Sequence, residues 1–100
     1  MERILVVCLS GYSAGLLSSK MKKNVTERKL NVRIFYCALC NIEASIKKFN
    51  ITKVLLAPQI SWKYELREQS SFKKKDVIVI RMADYGIMNS EKILIDSLKK

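Results

Sequence analysis

The segment ILVVCLSGYSAGLL, residues 4–17, sets the arrangement of the whole chain. Its first four residues are apolar and three of these are β-branched, a composition typical of a strand buried on both faces of a sheet. A polar turn that contains glycine follows, and then apolar residues recur at helical spacing. The segment therefore predicts a strand, a loop and the N-terminus of a helix, with Cys8 where the strand ends.

The loop after this strand has the composition of an anion-binding turn. Open α/β sheets place their ligands at the carboxyl ends of the strands. We expect backbone N–H groups to surround an anion there, because glycines permit tight turning and serines add hydroxyl donors. The residues of this predicted phosphate-binding loop are Leu9, Ser10, Gly11, Tyr12, Ser13, Ala14 and Gly15.

Cys8 has two interpretations at this point. The positive end of a helix favours a thiolate, which makes Cys8 a candidate nucleophile beside the loop. A cysteine at the end of a strand is also common as an ordinary packing residue, because cysteine is among the most buried residue types. These residues alone leave both interpretations open.

The composition is that of one globular domain, which we assign to residues 1–100. Hydrophobic residues make up 49% of the chain and charged residues 28%, and a single proline leaves little room for a flexible linker. The first residues show no secretory pattern, and no apolar run approaches the roughly 20 residues of a membrane span. We therefore expect a cytoplasmic protein.

The net charge of +10 would attract nucleic acid, anionic lipid or acidic proteins. The lysines and arginines recur in short clusters along the whole chain, and no nucleic-acid recognition motif accompanies them. We expect no nucleic-acid partner, and a basic nucleic-acid-binding module stays an alternative.

The absence of histidine removes Ser-His-Asp and Cys-His catalysis and weakens any zinc site. Cys37 and Cys40 form a lone Cys-x-x-Cys, the spacing of a redox pair or half of a metal site. A second pair is missing, and the motif does not open the first helix. We predict structural roles, with Cys37 ending an edge strand and Cys40 half-buried, and we expect reduced thiols, no metal and no cofactor.

The rest of the chain alternates between helical and strand patterns. In the second strand, apolar residues alternate with mostly polar ones, which indicates one exposed face and a position near a sheet edge. Pro58 ends the third strand, because proline has no N–H to donate to a neighbouring strand. The predicted helices cover residues 13–28, 41–49 and 62–72, with Asn41 as the N-cap of the second, and a last helix runs from Asn89 and Ser90 to residue 100. The other predicted strands cover residues 31–36, 52–57 and 76–80. Residues 82–89 are predicted as a loop. This order predicts an α/β three-layer sandwich, a four-stranded parallel sheet with helices on both faces.

A cysteine at the head of a phosphate loop also occurs in small tyrosine phosphatases and arsenate reductases. Those enzymes place an arginine six positions after the cysteine to clamp the phosphoryl oxygens. Here that position is Ala14, and the loop contains no arginine. Such a loop is better suited to holding a phosphocysteine until an acceptor arrives than to hydrolysing it, and a small cysteine-dependent phosphatase or arsenate reductase stays the alternative.

Three segments together resemble one known family. They are Cys8 with its loop, LLAPQI at residues 55–60, and MADYGIMNSEK at residues 82–92. In order and spacing, the chain resembles the lactose/cellobiose type enzyme IIB subunits of the phosphoenolpyruvate-dependent sugar phosphotransferase system (PTS). The resemblance covers essentially the whole chain, and the Asp-Tyr-Gly-x-Met-Asn stretch and the Pro-Gln pair make it specific.

The resemblance implies a cytoplasmic phosphotransferase subunit whose fold is similar to that of low-molecular-weight tyrosine phosphatase. Cys8 matches the phosphorylated cysteine, and residues 9–15 match its phosphate loop. By this resemblance, Cys8 takes a phosphoryl group from a phosphohistidine on the IIA subunit and passes it to a sugar, a β-linked disaccharide, moving through the membrane IIC subunit. A degenerate member that only senses phosphorylation is a further alternative.

Other positions of the family pattern bear on the site. Family members usually carry small hydroxyl residues near Ala14 and Gly15, so this loop has fewer side-chain donors. Tyr85 fits equally well a role in packing its segment onto the sheet or a contact with a partner. Asp84 receives no catalytic role, because a carboxylate would repel a phosphate. The candidates for contacts with a partner or with the loop are Pro58, Gln59, Asp84 and Tyr85.

Overall fold

The computed structural model describes residues 1–68 and 76–99. Its strands form one sheet in the order β2-β1-β3-β4, and every neighbouring pair is parallel. The predicted four-stranded parallel sheet is confirmed. The strands are β1 Glu2–Cys8, β2 Val32–Ala38, β3 Lys53–Leu56 and β4 Asp76–Val79.

The central position of β1 explains its apolar sequence. β2 and β3 pair with it on either side, so the four residues from Ile4 to Val7 are fully buried. Such a strand has no solvent-facing side and needs no polar alternation. The same pairing places Cys8 at the carboxyl edge of the sheet, opposite Ala38 of β2.

Helices cover both faces of the sheet. Phe35 stacks on Phe49 with 4.5 Å between ring centroids, whereas the ring of Tyr36, one residue on, lies against Gly15. Because successive strand residues point to opposite faces, the helices that carry Phe49 and Gly15 lie on opposite sides. The helices are α1 Tyr12–Arg28, α2 Ile42–Phe49, α3 Met82–Gly86 and α4 Ser90–Leu98.

α1 and α4 share one face. Ser90 donates to Asn24 Oδ1 at 2.6 Å, and Arg28 pairs with Glu91 at 3.2 Å. α4 begins where predicted, since the Asn89 side chain accepts a hydrogen bond from the Lys92 amide at 3.4 Å. None of the helices in residues 1–68 and 76–99 is long and apolar enough to cross a membrane.

The edge strand and the segment after it differ in detail from prediction. β2 is an edge strand as expected, but its predicted exposed face is partly covered because Phe35 stacks on α2. Asn41 precedes α2 as predicted, yet its side chain makes no capping hydrogen bond, because a short 3₁₀ turn, Leu39–Asn41, leads into the helix. Cys40 within this turn is exposed rather than half-buried, while Cys37 is buried.

The helix predicted at residues 62–72 is instead a 3₁₀ helix, Pro58–Glu68, interrupted by non-helical backbone at Ile60. It begins directly after β3 because proline is tolerated at a first helical position, where no N–H is required. The Ile60 amide closes the first turn by donating to Ala57 O at 3.0 Å. Residues 69–72 of the prediction lie outside the described residues.

The loop predicted at residues 82–89 is wrong in its first part, where α3 forms. The amides of Asp84 and Tyr85 donate to Arg81 O at 3.1 and 2.9 Å, which closes a helical turn. Gly86 is the last residue of this helix, a position that glycine tolerates well, so it did not exclude one. The turn buries both Asp84 and Tyr85.

Candidate functional site

The thiol of Cys8 lies between the end of β1 and the beginning of α1. Only 4% of the residue is exposed. The Gly11 amide donates to Cys8 Sγ at 3.1 Å and the Ala14 amide donates to it at 3.3 Å. These N–H groups belong to the N-cap and first turn of α1, where the helix dipole is positive. The arrangement stabilises negative charge on the sulfur.

Gly11 shapes the loop because its backbone adopts a conformation that side chains disfavour. Its φ is 87°, in the left-handed region. A Cβ at this position would also lie 3.2 Å from the backbone nitrogen of Ala38. A second link to the end of β2 comes from the Leu39 amide, which donates to Leu9 O at 3.4 Å. The loop is therefore held against the edge strand.

The pKa of Cys8 is lowered from its ordinary value. Burial alone would raise this pKa, but hydrogen bonds from the Ser13 hydroxyl and from the amides of Ala14, Gly11 and Ser13 outweigh the burial. The hydrogen bonds therefore favour the thiolate without a histidine base, in accord with a chain that contains no histidine.

Tyr85, which is far from the loop in the sequence, contacts the loop in the folded chain. Its hydroxyl forms a hydrogen bond with the Ser13 hydroxyl, and the residue is buried. Burial raises the pKa of the Tyr85 phenol, and the nearby Cys8 adds to this effect. Tyr85 was a candidate for contact with a partner or with the loop, and the structure shows a direct contact with the loop. The burial of α3 makes this contact, and no spacing in the sequence indicated it.

Ser10 and Gly15 make hydrogen bonds to other residues of the loop. Ser10 Oγ accepts from the Tyr12 amide at 3.3 Å, and the Gly15 amide donates to Gly11 O at 3.0 Å. A Cβ on Gly15 would lie 3.0 Å from the ring of Tyr36. Glycine at this position therefore lets the tyrosine ring cover the start of α1.

The remaining candidates lie near the edge but are not bonded to the loop. Pro58 is half-buried and Gln59 is exposed after β3, and no hydrogen bond joins Gln59 to the loop within the described residues. The carboxylate of Asp84 pairs with Lys92 Nζ at 3.6 Å. Its negative charge is thus directed to a lysine rather than to the thiolate.

Two large apolar side chains lie exposed near the thiol, and their exposure was not predicted from the sequence. Leu9 is 69% exposed and Trp62 is 62% exposed. They line one groove of about 630 Å³ together with Leu39 and Ile42. A tryptophan shortly after the Pro-Gln pair was the available sequence signal. In the part of the chain that the structure describes, no cluster of three potential ligands is placed to hold a metal ion.

The thiols of Cys8 and Cys37 are expected to react at different pH. Burial raises the pKa of Cys37, whereas the loop hydrogen bonds lower that of Cys8. Alkylation by iodoacetamide, followed by peptide mass mapping across neutral and alkaline pH, should reach its half-maximal rate at Cys8 below the ordinary cysteine pKa and at Cys37 above it. The Cys37→Ser/Cys40→Ser variant isolates the Cys8 profile. A Cys8 midpoint at or above the ordinary value would contradict the proposed thiolate stabilisation.

Comparison with known proteins gives a consistent family match. The family described as "PTS system, Lactose/Cellobiose specific IIB subunit" matches residues 3–96. The chain is 32% identical over 95 residues to the galactose-specific EIIB component of a PTS system from Lactococcus lactis subsp. cremoris, covering 91% of this chain and 88% of the relative. It is 31% identical over 93 residues to the oligo-beta-mannoside-specific EIIB component of Bacillus subtilis, covering 92% and 88%.

Solved structures show the same fold. The lactose-specific IIB component domain from Streptococcus pneumoniae matches with a TM-score of 0.82 at 15% identity, covering 98% of each chain. The cellobiose-specific IIB component from Borrelia burgdorferi matches with a TM-score of 0.73 at 24% identity, covering 97% of this chain and 88% of that one. At these identities the likeness concerns the arrangement of the sheet and helices.

Proposed function

Because the chain belongs to the family of lactose/cellobiose-specific IIB subunits of the PTS, we propose that Cys8 is the residue that carries the phosphoryl group. The observation that supports this assignment is the convergence of the Gly11 and Ala14 amides on Cys8 Sγ. Donors that stabilise a thiolate are also placed to stabilise the oxygens of a phosphoryl group bound to it.

In the first step, the Cys8 thiolate attacks the phosphorus of a phosphohistidine on the IIA subunit. The S–P bond forms as the P–N bond breaks, and the histidine nitrogen keeps the electron pair of that bond. In the second step, the oxygen of a sugar hydroxyl attacks the phosphorus and forms an O–P bond as the S–P bond breaks; the hydroxyl proton passes to solvent and Cys8 returns as the thiolate. Catalysis by the loop consists of positioning and charge stabilisation, because both steps only exchange the partner of phosphorus.

The loop composition favours transfer over hydrolysis. Residues 9–15 contain no arginine, and Asp84, the acidic residue of α3, is paired with Lys92. A phosphatase needs an arginine to clamp the phosphoryl oxygens in the transition state and an acid to protonate the leaving group. The phosphocysteine is therefore expected to persist until a sugar hydroxyl is presented.

The partners follow from this role. The IIA subunit and the membrane IIC subunit must both reach the carboxyl edge of the sheet, since Cys8 lies there. The exposed Leu9 and Trp62 beside the loop offer apolar contact to such partners. The subunit then works in the cytoplasm, associated peripherally with IIC, and the relatives named for cellobiose and oligo-beta-mannoside favour a β-linked disaccharide as the acceptor.

Intact mass spectrometry tests this function directly. The protein is incubated with phosphoenolpyruvate, the general phosphotransferase proteins and a matching IIA, and the expected result is a single added phosphoryl group that maps to the peptide containing Cys8. An unmodified protein in a mixture where IIA itself is phosphorylated would refute the assignment. Steady hydrolysis of an aryl phosphate would support the phosphatase alternative instead.

A further inference from the structure

The contact between Tyr85 and Ser13 joins distant parts of the chain at the thiol. The two residues are 72 positions apart, and their hydroxyl groups are hydrogen-bonded. The backbone of Tyr85 is held on both sides, because its amide donates to Arg81 O at 2.9 Å and its carbonyl accepts from the Met88 amide at 3.0 Å. Tyr85 as a whole is 6% exposed. The Tyr85 side chain is therefore held against the loop, with Ser13 and Cys8 beside its hydroxyl.

We propose that Tyr85 is a positioning residue for phosphoryl transfer, whose hydroxyl orients the Ser13 hydroxyl so that the Ser13 proton points to the sulfur of Cys8. The proposal rests on the proposed function of Cys8. It assigns to this tyrosine a role through Ser13, beyond packing of α3 onto the sheet.

The count of protons supports this direction of the hydrogen bonds. A serine hydroxyl has one proton to donate and two lone pairs to accept with. When Tyr85 donates to Ser13 Oγ, the Ser13 proton is free for the sulfur, where it helps to lower the pKa of Cys8. If Ser13 donated to Tyr85 instead, the Ser13 proton would lie on the phenol oxygen and could not reach the sulfur. Because burial raises the pKa of Tyr85, the phenol keeps its proton at neutral pH and can donate.

The loop has few other side-chain donors for this task. The Ser10 hydroxyl accepts from the Tyr12 amide and makes no hydrogen bond to Cys8 within the described residues, and positions 14 and 15 are alanine and glycine. Ser13 is therefore the hydroxyl group of the loop that acts on the thiol. A tyrosine from α3 that fixes this single hydroxyl compensates for the missing ones.

The test is Tyr85→Phe, which removes only the hydroxyl and keeps the buried ring. Two readouts are measured: the pH midpoint of Cys8 alkylation in the Cys37→Ser/Cys40→Ser background, and the rate of transfer from phosphorylated IIA. We expect the midpoint to rise and the transfer rate to fall roughly tenfold, the scale of one weakened hydrogen bond to a charged group. Tyr36→Phe is the matched control, since Tyr36 meets Gly15 through ring atoms that phenylalanine retains.

Ser13→Ala and the Ser13→Ala/Tyr85→Phe double variant complete a double-mutant cycle. Ser13→Ala is expected to shift both readouts at least as far as Tyr85→Phe, and Tyr85→Phe is expected to shift them less in the Ser13→Ala background than in the wild type, because most of its effect passes through Ser13. An unchanged midpoint in Tyr85→Phe would overturn the proposal, even where transfer slows, since the loss would then be structural. If Tyr85→Phe does not fold, a wild-type midpoint in Ser13→Ala would overturn it. Alkylation needs no phosphoryl donor, so these outcomes stay distinct from a failure of the proposed function.

Discussion

Replacing Cys8 by serine is expected to abolish phosphorylation of the chain while leaving the fold intact. Serine has nearly the same shape and can accept the hydrogen bonds that Gly11 and Ala14 now give to the sulfur. Its hydroxyl stays protonated at neutral pH, however, and no histidine is present in the chain to remove the proton. We expect the rate of transfer from phosphorylated IIA to fall by a factor of about 1000 or more. Intact mass measures the phosphoryl group, and circular dichroism checks the fold.

The other two cysteines provide matched controls for this result. Cys37→Ser replaces a buried thiol whose pKa is raised, and Cys40→Ser replaces an exposed one. Both variants are expected to take up one phosphoryl group as the wild type does. Phosphorylation that survives in Cys8→Ser but disappears in either control would place the nucleophile in the Cys-x-x-Cys segment after β2.

The sheet was predictable because its strands are encoded locally. β1 is an unbroken apolar run, which is typical of a strand covered on both faces of a parallel sheet, and the helical patterns between the strands indicate parallel pairing. Because Cys8 ends β1, its position at the carboxyl edge beside the loop was predictable as well. The segment after β3 was less predictable, because a proline followed by mixed residues did not distinguish the 3₁₀ helix from a later α-helix.

The contact of Tyr85 with the loop was indicated only by the family resemblance, because no periodicity in the sequence points to it. Tyr85 contacts the loop only because a short helix buries it against the start of α1, and Gly86 had indicated a loop in that segment. The exposure of Cys40 follows likewise from the path of the chain after β2. Local patterns describe the period of one element, whereas these contacts depend on how separate elements pack.

Replacing Gly11 by alanine is expected to impair transfer more than any other single change of the loop backbone. The left-handed conformation of Gly11 costs other residues about 1 kcal/mol, and the new Cβ would press on Ala38, whose nitrogen lies 3.2 Å from it. Relief of this contact moves the Gly11 amide away from Cys8 Sγ. Because loss of one aligned donor to a developing anion costs about 100-fold, we expect a decrease of that size in the rate of transfer from IIA.

Gly86→Ala is the control that separates this effect from a general intolerance of added methyl groups. A Cβ at Gly86 meets no atom within 4 Å, and the residue lies at the end of α3. Alanine there is expected to keep wild-type transfer and to raise the free energy of unfolding in urea slightly, because alanine favours the helix. The Gly11→Ala variant should also show a higher pH midpoint for Cys8 alkylation. Wild-type transfer with a wild-type midpoint in Gly11→Ala would mean that the Gly11 amide does not hold the thiolate, and the remaining loop donors would then carry the charge.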